Sequence, residues 1–316
     1  MILWEQQFNN EGPYENSTEL DFLIGFCAFI SQSNRGILID TNQNASKCFI
    51  TSNSFINCSA QTGFGGAIHY QKEGRFFITK SCGYQCSVKN SPQQGNFIRS
   101  SSTSNINYEN FYSLCSISYN YDLQNAAASI ILIYGNQMFT DSNSSNNKAL
   151  SHSAISPDYP VKNLILFSDF FNNTDKTQCS FGFWYNVAEI RNCNVIHNGV
   201  LSNINGIISS YGCTLTIKST SFKDNLNNIL FWIDSYNRKG NITLINCSTD
   251  ISYYKTTDIL DSQIGYKSFT NIIVLPLSSL MCEDYLPNLC FNSIYYAHNI
   301  HISLYFITPI ILIDIS

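Results

Sequence analysis

The residues best suited to acid–base chemistry in this 316-residue chain form two pairs at a repeat-like spacing. Arg191 and Lys218 are separated by the same interval as His197 and Asp224. If each interval of this length builds one turn of a stacked structure, Arg191 lies under Lys218 and His197 under Asp224. General acid–base catalysis requires such groups to converge on one substrate. Because repeats stack whatever their residue types, we expect an ordinary exterior column here and no catalytic residues.

A metal site is suggested by Cys282, Cys290, His298 and His301. Their spacings match no common zinc pattern, in which paired cysteines lie two to four residues apart. A loop disulfide or free thiols near the C-terminal end is the interpretation that we favour. The chain also has no nucleophile elbow, P-loop or dinucleotide fingerprint, so we expect no metal and no cofactor.

Binding chemistry is better represented, by four tyrosines in the stretch NYENFYSLCSISYNY. Tyr108, Tyr112, Tyr119 and Tyr121 lie next to the longest interval of the repeat described below, which runs from Ile106 to Phe139. Extra length leaves a coil as a protruding loop, and loops often carry binding residues. We therefore expect these four tyrosines to bind a ligand, the alternative being an insertion without a partner.

The composition predicts the elements that hold these residues. Charged residues make up 12% of the chain, its net charge is −5, and it has no basic run. This argues against nucleic-acid binding and against a cationic membrane-surface helix. Asn occurs 38 times, with Ile and Ser similarly abundant. Asn and Ser compete with helical hydrogen bonds and Ile is stiff at χ1, so strands and turns are expected and almost no helix.

Two interleaved repeats run through the chain. CFITSNSFINC at residues 48–58 returns as FFITKSCGYQC at 76–86. An apolar residue opens a polar strand about every 27 residues, at Ile50, Ile78, Ile106, Phe139, Ile165, Ile190, Ile217, Leu244 and Ile272. The second series consists of short motifs that each contain an apolar residue, at Ile68, Ile98, Ile130, Ile155, Ile208 and Leu230.

A period near 27 with Gly and Asn punctuation leaves no room for a helix in each repeat. The chain is therefore predicted to be all-β, a right-handed parallel β-helix of about nine coils that rise about 4.8 Å each. We place this domain at residues 20–281, after an N-terminal extension or cap at 1–19 and before a C-terminal cap or truncated segment at 282–316. A leucine-rich repeat has a similar period, but its Leu pattern is absent.

Stacking has consequences for two other residue types. The asparagines that end strands, Asn57, Asn172, Asn198 and Asn225, are expected at corners, where Asn tolerates the left-handed conformation. Cys58, Cys86 and Cys115 follow one another at nearly equal intervals close to the repeat length, which predicts one column on three successive coils. We expect this column to be a buried thiol ladder.

The GGAI element at residues 65–68 and the Phe-x-x-Asn element in FINC at 55–58 resemble the repeats of the polymorphic membrane protein family. They are also similar to the repeats of large protist surface families. The spacing of the repeats extends the resemblance over residues 35–275. Two departures are that Gly-Gly does not recur and that SFKDN at residues 221–225 has an extra residue before its Asn. It implies a surface-displayed right-handed β-helix with an adhesive role.

The alternative function is a carbohydrate-active, pectate lyase-like β-helix. Polysaccharide lyases and galacturonases need clustered carboxylates, whereas the 22 acidic residues of this chain are scattered. We therefore expect a non-catalytic protein that binds surface glycans or proteins of another cell, and no nucleic acid.

The expected location is extracellular or at the cell surface. Seven Asn-x-Ser/Thr sequons point weakly that way, at Asn16, Asn44, Asn57, Asn143, Asn172, Asn241 and Asn246. The opening stretch MILWEQQFNNEGPYENSTEL does not read as a secretory signal, and the apolar stretch from Ile302 to Ile313 is too short to span a bilayer.

Overall fold

The computed structural model describes residues 7–9, 14–15, 21–40, 46–71, 73–89, 95–102, 108–124, 127–202, 206–226, 229–234, 240–250 and 259–265. Within these ranges every regular element is a β-strand, and the strands pair in parallel from one coil to the next. They form a β-solenoid of about seven complete turns with further strands at its ends. The all-β solenoid prediction is confirmed, and about nine coils was roughly right.

In the ranges given above, the coils contribute strands to three faces, and six of them also contribute a two-residue strand to a short column. Face A holds Tyr14–Glu15, Ile37–Asp40, Ile68–Gln71, Ile98–Ser101, Ile130–Ile133, Ser156–Asp158, the first parts of Phe181–Arg191 and Ile208–Lys218, and Phe231–Asp234. Face B holds Asp21–Gly25, Ser46–Thr51, Gly74–Thr79, Glu109–Ser113, Asn136–Thr140, Lys162–Leu166, the remainders of the two long strands, the first part of Asn241–Thr249, and Ile259–Gly265. Face C holds Gln7–Asn9, Ala28–Ile30, Ser54–Ile56, Cys82–Tyr84, Ser116–Ser118, Asn143–Ser145, Asp169–Phe171, Asn194–Ile196, Ser221–Lys223 and the end of Asn241–Thr249. Column D holds Ser59–Ala60, Ser87–Val88, Tyr121–Asp122, Lys148–Ala149, Thr174–Asp175 and Gly199–Val200.

The N-terminal boundary of the stack is earlier than residue 20. Gln7–Asn9 and Tyr14–Glu15 lie in the segment 1–19 expected to be an extension or cap, and both pair with strands of the first full coil. The segment 282–316 lies outside the described residues.

The first predicted series is an apolar column inside face B. Its members pair in the order Ile24, Ile50, Ile78, Tyr112, Phe139, Ile165, Ile190, Ile217 and Leu244. Tyr112 thus takes the place predicted for Ile106, which lies outside the described residues, as does Ile272. The prediction failed at this coil because the extra residues precede the face B strand that begins at Glu109. The longest interval therefore runs from Ile78 to Tyr112.

The second predicted series forms the inner column of face A. Ile68, Ile98 and Ile130 pair in succession, and a bridge joins Ile155 to Phe181. At the last coil Ile208 pairs with Phe231 and not with Leu230, so that prediction was wrong by one residue.

The GGAI motif is a turn that enters face A. Gly65 has φ +68°, and a Cβ on Gly66 would lie 2.0 Å from the carbonyl oxygen of Asn96 on the next coil. Only glycine fits both requirements. The motif is therefore explained locally by the close approach of two coils.

Two columns of left-handed residues flank face C, one on each side, and further left-handed residues such as Tyr134 and Tyr159 follow face A. The column between faces B and C is Phe26, Ser52, Lys80, Leu114, Asp141, Phe167, Asn192, Ser219 and Asn246. The column between face C and column D is Asn57, Gln85, Tyr119, Asn146, Asn172, His197 and Asp224. The corner prediction is confirmed for Asn57 and Asn172. Asn198 and Asn225 also lie at this corner, but the left-handed conformation belongs to the preceding residues His197 and Asp224, and both asparagines are buried.

The predicted cysteine column contains two residues and not three. Cys58 and Cys86 are neighbours, since Ser59 and Ser87 pair directly after them. Cys115 precedes Ser116, whose partner is Cys82, and so lies in the other corner column beside Ser81. The equal spacing was a coincidence of coil length. Burial is confirmed for all three thiols, and burial raises the pKa of Cys115 to about 12.

Candidate functional site

A ladder of buried asparagines fixes the corner between face C and column D. Its rungs on successive coils are Asn120, Asn147, Asn173, Asn198 and Asn225. The Oδ1 atom of Asn147 accepts hydrogen bonds from the backbone N and from Nδ2 of Asn120, both at 3.0 Å. Nδ2 of Asn147 donates to the carbonyl oxygen of Ile117 at 3.0 Å. Because the rungs satisfy buried backbone groups on adjoining coils, the corner is firmly positioned.

The residues that flank these rungs point outward and line an open groove. One wall of the groove consists of left-handed residues that immediately precede the ladder positions. The other wall consists of column D residues that immediately follow them. The lining residues are Gln85, Ser87, Tyr119, Tyr121, Asn146, Lys148 and Asn172. They enclose a volume of about 420 Å³ that crosses four coils. The groove thus combines phenol, amide, hydroxyl and ammonium groups.

Several contacts orient the groove side chains. Tyr119 is 46% exposed and meets the ring of Tyr84 edge to face at 5.4 Å, while Tyr121 is 55% exposed. The Lys148 ammonium lies 5.6 Å from the centre of the Tyr121 ring. These contacts restrict the orientations of the two rings on the wall of the groove.

A second cavity of about 590 Å³ adjoins the groove. The two share Ser87 and Tyr121, and the second adds Lys89, Asp122 and Lys176 among its lining residues. The combined concavity follows column D along the solenoid.

Two of the four predicted binding tyrosines lie in this groove. Tyr119 and Tyr121 are exposed there, whereas Tyr108 is half-buried and does not line it. Tyr112 is fully buried in the face B core between Phe76 and Phe139. Its exposure was predicted wrongly, because alternate residues of the strand Glu109–Ser113 point inward. The residues 103–107 of the expected protruding loop lie outside the described residues.

The sequence interpretation missed the amides and the lysine of the groove. Gln85, Asn146 and Asn172 occupy the same left-handed position as Tyr119 on neighbouring coils. Aligning the coils on the Asn120, Asn147 and Asn173 rungs would have placed them together. The irregular coil lengths hid that alignment.

The proposed acid–base constellation consists of two separate surface pairs. Arg191 and Lys218 do pair on adjacent coils, and both contact the carboxylate of Glu189, with Lys218 Nζ at 3.3 Å. His197 Nε2 lies 3.8 Å from an Asp224 carboxylate oxygen. Within the described residues no hydrogen bond or ion pair joins the two pairs. The predicted stacking is confirmed, and the groups are exposed polar columns.

Two Asn-x-Asp sequences, a motif type of galacturonases, occur at residues 120–122 and 173–175. Both begin with a ladder rung. Asp122 accepts a hydrogen bond from the backbone N of Gln124, and Asp175 is buried among Ser153 and Ser180. In each case the local corner accounts for the motif.

Other titratable groups are held neutral inside the wall of the solenoid. Burial lowers the pKa of His152 to about 4 and raises the pKa of the Cys179 thiol well above its usual range. A buried neutral thiol is a poor nucleophile. No group of three or more His, Cys, Asp or Glu in the described part of the chain could hold a metal ion. Cys282, Cys290, His298 and His301 lie outside that part.

No protein family, curated protein or solved structure was found to match this chain. The resemblance to surface β-helix families therefore rests on the sequence motifs alone. Among the residues that the structure describes, none forms a helix with the length and apolarity needed to cross a bilayer.

Proposed function

We propose that this protein is a non-catalytic binding protein of the cell surface or extracellular space. Its ligands are glycans or proteins of another cell, and the solenoid provides the surface to which they bind. The observation that carries the proposal is the open groove in which Tyr119 and Tyr121 stand beside Lys148 and several amides.

The chemistry of the groove supports ligand binding. Tyrosines combine an apolar ring with a hydroxyl group and lose little conformational entropy, which suits them to recognition surfaces. The amides of Asn146 and Asn172 are hydrogen-bonded to each other, with Nδ2 of Asn172 2.8 Å from Oδ1 of Asn146. Each amide retains further donor and acceptor sites for a polar ligand.

The location at the cell surface is supported by the resemblance and by the position of one sequon. Asn246 begins a sequon and is exposed at a corner. Asn172 also begins a sequon, but it lines the groove and gives no support to this location. A glycan on Asn172 would occupy the groove, so binding through the groove requires that Asn172 is left unmodified.

The test is a glycan array and a cell-attachment assay with the double variant Y119A/Y121A. Loss of both rings is expected to weaken binding at least about tenfold, which corresponds to about 1.4 kcal/mol. The matched control is Y134A/Y159A, since these two tyrosines are also exposed but lie at the corner after face A. Equal binding by both double variants would contradict the proposal.

The carbohydrate-active alternative has its own outcome. If the purified protein cleaves a polysaccharide, and substitution of Arg191, His197, Lys218 or Asp224 abolishes the cleavage, that alternative replaces the binding function.

A further inference from the structure

The walls of the two adjoining cavities carry three lysines and a single acid. Lys148 lines the first cavity, and Lys89, Lys176 and Asp122 line the second. All three lysines are exposed. The chain as a whole has a net charge of −5, so the positive charge of this concavity is opposite to that of the molecule.

The Asp122 carboxylate and the three lysines differ in the contacts that they make within the protein. The Asp122 carboxylate accepts a hydrogen bond from the backbone N of Gln124 at 2.7 Å, within its own turn. In the described part of the chain none of the three lysines forms an ion pair, whereas Lys218 pairs with Glu189 at 3.3 Å. Lys148 contacts the Tyr121 ring, and each ammonium group has three donors with which it can bind an anionic ligand.

The register spreads these charges along the solenoid axis. Lys148 pairs with Thr174 of the next coil, two residues before Lys176. Lys89 comes from an earlier coil, since it follows Ser87 in column D. Lys89, Lys148 and Lys176 are therefore spread over four successive coils, which rise about 4.8 Å each, and Lys148 is offset by two residues from the other two.

The backbone of this corner favours a glycan over a peptide. Extended peptides commonly bind by adding a strand to an open sheet edge. Here the backbone N atoms of Asn120, Asn147 and Asn173 already donate to ladder asparagines. These three backbone groups are thus not available to pair with an added strand, whereas the phenol, amide and ammonium side chains of the groove can bind hydroxyl and anionic groups of a ligand.

We infer that the groove binds an acidic glycan, with Lys89, Lys148 and Lys176 as its anion-binding residues. This inference rests on the proposed function of the same groove. The shared ligand chemistry is a polyhydroxylated chain with carboxylate or sulfate groups.

Titration calorimetry with three probes tests the inference: polygalacturonate oligosaccharides, dextran sulfate and neutral dextran. The protein is expected to bind at least one acidic probe and to bind it more weakly at high salt, because salt screens exposed charges. The triple variant K89Q/K148Q/K176Q is expected to bind that probe about tenfold more weakly. The control K162Q, an exposed lysine on face B, should bind as the native chain does. The preferred acidic probe identifies carboxylate or sulfate as the recognised group.

Three outcomes overturn the inference: no binding of either acidic probe, equally tight binding of neutral dextran, or an unchanged triple variant. In each case the Y119A/Y121A comparison on the glycan array decides separately whether the groove is a binding site at all. Far-ultraviolet circular dichroism and thermal unfolding verify that the variants are folded.

Discussion

At the residue scale, the protonation of Asp175 makes the stability of the fold depend on pH. Its side chain is completely buried and accepts hydrogen bonds from the backbone N and Oγ of Ser153, at 2.6 and 2.8 Å, and from Oγ of Ser180 at 2.8 Å. Burial raises the pKa of Asp175 from 3.8 to about 8, although these hydrogen bonds oppose the rise. The native protein therefore retains a proton there over a range in which the unfolded chain has lost it.

This shift predicts a loss of stability as the pH rises from about 4 to about 8. The contribution of Asp175 is fully present below pH 3.8 and is lost as the pH rises through about 8. The slope for one proton is at most about 1.4 kcal/mol per pH unit. In D175N the amide resembles the protonated acid, so its free energy of unfolding should fall less than that of the native protein as the pH rises from about 4 to about 8. Urea unfolding of both proteins over a pH series measures the difference.

Comparison with D175N is necessary because other buried groups also titrate. Burial lowers the pKa of His69 to about 3 and that of His152 to about 4. Their contribution is present above pH 6.5 and is lost as the pH falls through these values. Both proteins retain these histidines, so parallel pH curves for native protein and D175N would contradict the assignment to Asp175.

At the scale of the element, the asparagine ladder is the feature that holds face C to column D. Replacing Asn147 by Ala removes the acceptor for two donors of Asn120 and the donor to the carbonyl oxygen of Ile117. Buried polar groups that lose their partners are costly, so N147A should lower the free energy of unfolding by about 3 kcal/mol. Denaturant unfolding followed by circular dichroism measures this loss.

The control for the ladder is N143A on the same coil. Asn143 is only half-buried, and its Nδ2 atom donates to Oγ of Ser145 at 3.1 Å. Its replacement should cost about 1 kcal/mol or less. If N143A and N147A cost the same, the corner is not held by the ladder.

At the scale of the whole molecule, the solenoid is a one-dimensional stack whose coils contact mainly their neighbours. Asn143 pairs with Asp169, so the segment 143–168 forms one complete coil. Deletion of this coil joins Ser142 to Asp169 and restores every column. The shortened protein is expected to fold with the same β spectrum and to be about 4.8 Å shorter, which small-angle scattering can measure.

A deletion of residues 143–155 is the matched control. It removes half a coil, so face A residues would fall into the place of face C and inward-facing positions would no longer match. We expect this variant to be unfolded or aggregated. If the whole-coil deletion behaves in the same way, the coils are not interchangeable units.

The sequence by itself determined the repeating stack. Ile50 and Ile78 occupy the same place in two successive repeats and do pair, because a regular parallel strand with a buried face must repeat its apolar side chains at every coil. The repeat spacing also predicted polar corners, because Asn tolerates the left-handed conformation that is found at Asn57 and Asn172.

The tertiary structure alone decided which residues meet where the coils differ in length. It placed Tyr112 in the core where Ile106 was expected, and it moved Cys115 to another corner from Cys58 and Cys86. It also brought Tyr121 and Lys148 together on adjacent coils. The physical reason is that parallel pairing fixes register strand by strand, so a loop of variable length changes the sequence spacing without changing which side chains lie side by side.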